Sequence, residues 1–326
     1  MKTKYLGAWI VGSLMLVACS ASPTTPGSLI GFKVAIGPFI SYAPLYIAKE
    51  EGYFRDEGLA VEFVNLPSSK DMIPSLAQGD VDAAGVTLTS SLLNLMARGA
   101  HVRFVADRGF ADPEGCTYSA VLASNAMRGA SPSEIAGSKV ATDQASYQEF
   151  LMYTALAQGG LDVSDVSIEN TVISSVPELL SSGQISFATA VEPWLTRVQQ
   201  ADQGVVWAPA ERLLPNFEIL TYVFGPSVLD NNRDAGLRFI RAYLSAKAQY
   251  DQGKTDRNIQ IVAKYTKLDP ELIRDSCWVS LRADLNVNPT SVNQFQAWSV
   301  SRGYSDRAIG EAEFWDPSFV QEVTGQ

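Results

Sequence analysis

The feature that most constrains this chain is a unit repeated three times between residues 32 and 107: a short β-rich run, a stretch of helical composition, and a glycine. "FKVAIG" is followed by "APLYIAKEE" and Gly52, "LAVEFVNL" by "SKDMIPSLAQ" and Gly79, and "VDAAGV" by "SSLLNLMAR" and Gly99, before "HVRFVAD" supplies a fourth run. A residue just past a helix commonly turns left-handed, a conformation that glycine enters without a Cβ penalty, so each glycine marks a helix end. Strands alternating with helices in this way predict an α/β architecture with largely parallel sheets.

A second set follows the turn-rich "RGFADPEG". It runs through "TYSAVLAS", "GSKVATD", the helix "SYQEFLMYTALAQ", "VSIENTVI", "SVPELLSS", "QISFATAV", "EPWLTRVQQ" and "GVVWAPA". "EILTYVFG" then leads into a helix-rich tail, with "RDAGLRFIRAYLSAKAQYDQG" and "NIQIVAKYT" as the clear helices. A chain of 326 residues exceeds what one core usually supports. Crossings between two units are expected near 111–119 and 218–223. The first unit would comprise 31–115 plus 222–326, and the second, 116–221, would be its insert.

Residues 1–18 carry Lys2 and Lys4 and then "YLGAWIVGSLMLVA", an apolar run too short for a comfortable membrane span and ending in small residues, as a secretory signal does. "LVAC" is similar to the lipobox of bacterial lipoproteins, which implies cleavage before Cys19 and lipid on its sulfur. The polar "SASPTTPGS" that follows reads as a flexible tether over residues 19–30. The expected location is the cell membrane, lipid-anchored, on its extracellular or periplasmic side. Removing 18 residues from 326 leaves 308, and losing Lys2 and Lys4 with them takes the formal charge from −10 to −12. Such acidity argues against nucleic acid as a partner. Cys116 and Cys277 remain, and two thiols in an oxidising compartment are expected to pair, the alternative being two separate buried thiols.

The segments "APLYIAKEEGYFRDEGLAVEF", "IPSLAQGDVDAAGV", "RGAHVRFVA", "SEIAGSKVATD" and "AVEPWL", spread in one order from about residue 32 to 195, resemble the solute-binding proteins of ABC importers that take nitrate, alkanesulfonates, taurine, thiamine-precursor pyrimidines and riboflavin. "VNQFQAWSVSRGYSD" looks like the closing segment of that family. The resemblance implies a type II periplasmic-binding-protein fold, α/β, with two lobes of mixed, mostly parallel sheets joined by a two-crossing hinge. It also implies a monomer that delivers a small-molecule ligand to a separate ABC permease and its ATPase, without a cofactor.

Ligands of open α/β sheets collect at the carboxyl ends of the strands, and clefts between domains suit small molecules. That rule selects Phe39, Ser41 and Tyr42 after the first strand and Thr87, Thr89 and Ser90 after the third. In the second unit it selects Asp143, Gln144, Ser146 and Tyr147, then Glu192 and Trp194. None of these four loops holds a lysine or arginine, and a buried anion beside Asp143 or Glu192 would be costly. Four rings suit a flat neutral heterocycle, with carboxylates and hydroxyls serving its nitrogens and alcohols. Among the solutes implied by the resemblance, riboflavin is therefore favoured, with an aminopyrimidine as its rival, while Arg108 and Arg197 near the loops keep an acidic ligand open. Tyr147 and Trp194 also suit plain core packing, and Trp278 is expected to pack against the Cys116–Cys277 pair. Glu192 is harder to explain as core, because an unpaired buried carboxylate is expensive.

The family is also similar to eukaryotic enzymes that make the thiamine pyrimidine with a histidine and a cysteine-rich stretch. Here His101 is the sole histidine, opening a strand where a surface position is the default, and no cysteine cluster exists. A zinc site built on histidines or a Ser-His-Asp system lacks parts, and no GxxxxGK phosphate loop occurs. Binding rather than catalysis is expected.

Overall fold

The computed structural model describes Met1 and residues 28–325, so the leader, Cys19 and most of the tether lie outside the described residues. Among the described residues ten strands form two five-stranded sheets. The first has the order β2-β1-β3-β10-β4, built from β1 (Ile30–Ile36), β2 (Leu59–Asn65), β3 (Ala83–Thr87), β4 (Arg103–Phe110) and β10 (Glu218–Phe224). The second has the order β7-β6-β8-β5-β9, from β5 (Ser119–Ala123), β6 (Lys139–Thr142), β7 (Ser167–Asn170), β8 (Phe187–Val191) and β9 (Val205–Pro209).

The two sheets share one plan. β1 pairs parallel with β2 and β3, as β6 does with β7 and β8. β10 then runs antiparallel between β3 and β4, as β5 does between β8 and β9. Four strands of each sheet thus point one way and one the other. In both sheets the reversed strand is the first one laid down after the chain arrives from the other sheet. The connections are residues 111–118 and 210–217.

That placement corrects the second crossing, which lies upstream of 218–223, and moves the unit boundary from 222 to before Glu218. β10 is buried along its whole length and hydrogen-bonded on both sides, so it belongs entirely to the first sheet. Its apolar run reads the same way whether it spans a hinge or fills a sheet centre, and only the partners decide.

Helix ends follow local chemistry. Gly52, Gly79 and Gly99 take φ values of +89°, +79° and +91°, the left-handed turn that glycine accommodates. Ser68, Thr89 and Ser146 cap the helices Ser69–Gln78, Ser90–Ala97 and Tyr147–Gln158 by accepting a backbone N–H. Those caps put helix starts at the carboxyl ends of β2, β3 and β6.

One face of the first sheet packs Phe32 and Tyr222 against Tyr46 of the helix Ala43–Glu50 and Phe239 and Tyr243 of the helix Arg233–Tyr250. The cluster on its other face continues through Phe217 to Phe150 and Leu151 of the second unit, and on to Phe295 and Trp298 of the helix Pro289–Ser301. The lobes therefore share part of a core. Cys116 and Cys277 are joined by a disulfide with a Cα–Cα distance of 5.7 Å. It ties the first crossing to residues 276–288, where Ser280 bridges to Phe110 and the Leu285 carbonyl accepts from the Asp107 N–H at 2.8 Å. The Trp278 carbonyl lies 3.6 Å from both sulfurs, while its ring stacks on Tyr250 at 5.2 Å.

Candidate functional site

The loops after β1, β3, β6 and β8 meet between the sheets, with the lobes closed on one another. Thr89 and Ser146 form an antiparallel bridge: the Ser90 N–H donates to the Ala145 carbonyl and the Tyr147 N–H to the Leu88 carbonyl, each at 2.9 Å. Beside it, Lys70 Nζ donates to Asp143 Oδ1 at 2.6 Å and to the Gln144 carbonyl at 3.0 Å. The rings of Phe39 and Trp194 face each other from opposite lobes, 6.3 Å between centroids and 38° between planes.

Around the β1 loop, Arg108 Nη1 donates to Ser41 Oγ at 3.0 Å, and the guanidinium lies 4.2 Å from the Tyr42 ring centroid. Tyr42 Oη donates to the Gly85 carbonyl at 2.5 Å. A Cβ on Gly85 would clash with Tyr42 Cε1 and stand 3.1 Å from Arg108 Nε, so only glycine leaves room for both side chains. Burial raises the Tyr42 hydroxyl pKa, against the pull of Arg108. Burial likewise pushes Tyr118 up to about 12, opposed by hydrogen bonding to Ser41 and by Arg108.

Several expected ligand residues are occupied in holding the fold. Thr87 Oγ1 donates to the Ile219 carbonyl at 3.0 Å, and Ser90 Oγ shares a hydrogen bond with Ser299 Oγ at 2.6 Å. The Gln144 N–H donates to Asn170 Oδ1 at 3.0 Å, Ser146 Oγ donates to the Asp143 carbonyl at 2.6 Å, and the Tyr147 ring stacks on Phe217 at 5.7 Å. Glu192 accepts from the Thr196 N–H, the Thr196 hydroxyl and the Cys277 N–H at 3.1, 2.9 and 3.0 Å. Burial raises the Glu192 pKa and those donors pull it back. Its burial is thus accounted for by a helix start and a tether to residue 277, which removes the reason for assigning it to a ligand.

The charge reasoning also changes. Asp143 faces the cation of Lys70, so it no longer argues for a basic or neutral solute. Arg108, which no loop pattern had placed, is 2 % exposed and forms no ion pair with any of the described residues. Lys70 follows β2 by the same carboxyl-end rule that selected the other loops, and that rule could have found it. Tyr118 lies in a crossing, where no such rule applies. Arg197 is exposed with its guanidinium 4.9 Å from the Trp194 ring, whose own Nε1 is buried without a hydrogen bond.

His101 is half-exposed, with Nδ1 2.5 Å from Asp230 Oδ1. Among the described residues no group of three His, Cys, Asp or Glu is placed to hold a metal ion. Two surface grooves, about 460 Å³ between the helices Ser69–Gln78 and Ser90–Ala97 and about 610 Å³ beside the helix Val176–Ser181, share none of the residues selected for the cleft.

Comparison with known proteins bears on the fold. A protein named as binding protein YtlA of Bacillus subtilis (strain 168) is 23% identical over 277 residues, 83% of this chain and 81% of that protein. The ligand-binding component of an ABC-type import system from Staphylococcus aureus superposes with a TM-score of 0.76 at 14% identity, covering 90% of this chain and 99% of that one. The periplasmic nitrate-binding protein NrtA from Synechocystis PCC 6803 gives 0.75 at 14% identity, covering 91% and 89%. These likenesses fix the α/β fold as that of periplasmic binding proteins, and the match of residues 40–250 shows that the chain belongs to the NMT1/THI5-like family.

Proposed function

We propose that the chain is the solute-binding component of an ABC import system, held outside the cytoplasm by lipid on Cys19, and that it passes its cargo to a membrane permease. The family and the fold of its neighbours support this reading. The cargo is a flat aromatic molecule clamped between the lobes, and the observation that carries this is the pair Phe39 and Trp194. Two faces in van der Waals contact with an intervening ring stand about 7 Å apart, so the two rings, tilted by 38° with centroids 6.3 Å apart, would have to separate and turn parallel to take one planar solute between them. Riboflavin is the reference ligand for the clamp and an aminopyrimidine its smaller rival. A second reading, an anionic solute, is favoured by the buried Arg108.

The test is tryptophan fluorescence of the purified protein titrated with riboflavin, an aminopyrimidine thiamine precursor and an alkanesulfonate, corrected for absorption by the flavin. Saturable quenching by riboflavin that disappears in Trp194→Ala is the expected result. Response to the alkanesulfonate alone would reject the clamp.

A further inference from the structure

Whatever solute the cleft takes, we infer that Arg282 is the positioning residue of the hinge and that the Asp107–Glu218 carboxyl pair beside it makes opening of the lobes a proton-releasing step. Residues 277–285 form a third chain segment of that hinge. Toward the first sheet, the Ser280 carbonyl accepts from the Phe110 N–H at 3.1 Å and the Leu285 carbonyl from the Asp107 N–H at 2.8 Å. Toward the second, Cys277 is bonded to Cys116 and its N–H donates to Glu192 Oε1 at 3.0 Å. Arg282 lies between these anchors and grips both crossings. Its guanidinium is 4.3 Å from the Phe110 ring centroid, Nη2 donates to the Asn216 carbonyl at 2.7 Å, and Nε donates to Glu218 Oε2 at 3.1 Å.

Rotation of the second unit pulls at that grip. The crossings pair with each other: the Ala111 N–H donates to the Phe217 carbonyl at 2.9 Å and the Asn216 N–H to the Ala111 carbonyl at 2.8 Å. Phe217, between Asn216 and Glu218, packs on Tyr147 and Phe150 of the second unit, with ring centroids 5.7 and 5.4 Å away. Asn216 takes a φ of +60°, a conformation that a non-glycine residue holds only where its surroundings support it. Arg282 supplies that support together with Asn288, whose Nδ2 donates to the same carbonyl at 3.1 Å. Moving Phe217 with the second unit therefore draws Asn216 and Glu218, on either side of it, away from Arg282.

Beside Arg282 the two carboxyls meet. Asp107 and Glu218 are fully buried and hydrogen-bond to one another, and Glu218 Oε1 receives no donor from any other described residue. Two carboxyls can share a hydrogen bond only with a proton between them. Asp107 otherwise accepts from the Gly109 and Arg282 backbone N–H groups, and Glu218 from the Asn288 N–H and Arg282 Nε. The other titratable groups around the pair are Tyr222, Tyr243 and Tyr250, whose hydroxyls burial holds well above their ordinary value. Arg282, and Arg108 next to Asp107 on β4, are guanidiniums, which do not deprotonate in proteins. The titrating proton therefore belongs to the carboxyls. Burial pushes Asp107 from 3.8 up to about 6 and raises Glu218 as well. A wetted, opened hinge returns both toward the ordinary carboxylate range and gives the proton to water, so opening becomes easier as pH rises from 3.8 through about 6.

The test is amide hydrogen exchange of the full-length protein without solute, from about pH 4.5 to about pH 7, corrected for the intrinsic pH dependence of exchange. Ser90 and Tyr147, whose N–H groups join the lobes, report opening, Ala111 and Asn216 report the crossings, and the amides of β1 report unfolding of the whole chain. Those of the joined lobes and the crossings are expected to exchange at least about tenfold faster than those of β1, with an opening constant that rises roughly tenfold or more across the range. Glu218→Gln, with Asp107→Asn as a second variant, should remove most of that rise. Arg282→Lys, which keeps the charge and loses the planar fork, should increase opening at least about threefold at every pH. Melting curves establish that each variant folds. Ser90 and Tyr147 amides that open without the rise, or that exchange no faster than β1, overturn the proton-releasing step, as does a folded Glu218→Gln that keeps the rise. A folded Arg282→Lys that opens like the wild type overturns the grip. Should no variant fold, the wild-type comparison of Ser90 and Tyr147 with β1 decides alone.

Discussion

Arg108, Tyr42 and Gly85 form a set in which each residue needs the other two. Gly85→Ala would drive a methyl group into both neighbours, and overpacking of this kind typically costs about 1–3 kcal/mol; chemical denaturation should show the loss, together with weaker ligand binding. Removing either clamp ring, by Phe39→Ala or Trp194→Ala, forfeits about 0.5–1.5 kcal/mol of stacking beyond area burial. The expected consequence is at least about a twofold to tenfold rise in Kd for an aromatic probe, measured by calorimetry. The sequence made these rings legible because they follow strands whose carboxyl ends could be read from periodicity and glycine stops. Glu192 has structural partners both near and far: Thr196, four residues on, is within reach of local reading, whereas Cys277 is 85 residues away and no local pattern reports so distant a donor. Arg108 could be read only as lying near the loops, because it sits inside a strand, and the register that turns it toward Ser41 depends on pairing with β10.

At the level of elements, β4 and β10 meet where the chain leaves the first sheet, and they bring Asp107 and Glu218 together in full burial. Arg282 Nε donates to Glu218 Oε2 at 3.1 Å and the Arg282 backbone N–H to Asp107 Oδ2 at 2.7 Å, so one residue serves both carboxyls, Glu218 through its guanidinium and Asp107 through its main chain. Burial pushes Asp107 up to about 6 and, with repulsion from Asp107, raises Glu218 as well. An acid whose pKa is higher folded than unfolded favours the fold at low pH, and that contribution is lost as pH rises from 3.8 through about 6. Relative to the wild type, Glu218→Gln should therefore lose less stability between pH 4 and about 7, seen as a flatter difference in melting temperature. Most elements were legible in advance, since glycine stops and capping residues act over a single turn. The crossing at 210–217 was not, because a buried central strand and an apolar hinge have the same composition.

For the whole molecule, the disulfide closes a sequence separation of 161 residues, and the chain-entropy model sets an upper bound of about 5 kcal/mol on its stabilisation. Reductant should lower the melting temperature by several degrees, and an unchanged curve with unchanged mass would mean that the bond does not form. Beside the shared core, two polar contacts of unequal weight close the lobes on one another. Lys70 and Asp143 are partly exposed, and such pairs contribute about 0–1 kcal/mol, so Lys70→Ala should leave the solution scattering radius unchanged. Ser90→Pro is different: it removes an N–H given to Ala145, at a first helical position that tolerates proline. Compared with Ser90→Ala, it should expand the ligand-free protein and expose it to protease. Because the lobes are stitched by main-chain groups of residues 88–90 and 145–147, substitutions that keep those N–H groups leave the stitch intact. A lineage could then exchange Phe39, Trp194 or Arg108 for other side chains and change its cargo, while inheriting the motion that traps it.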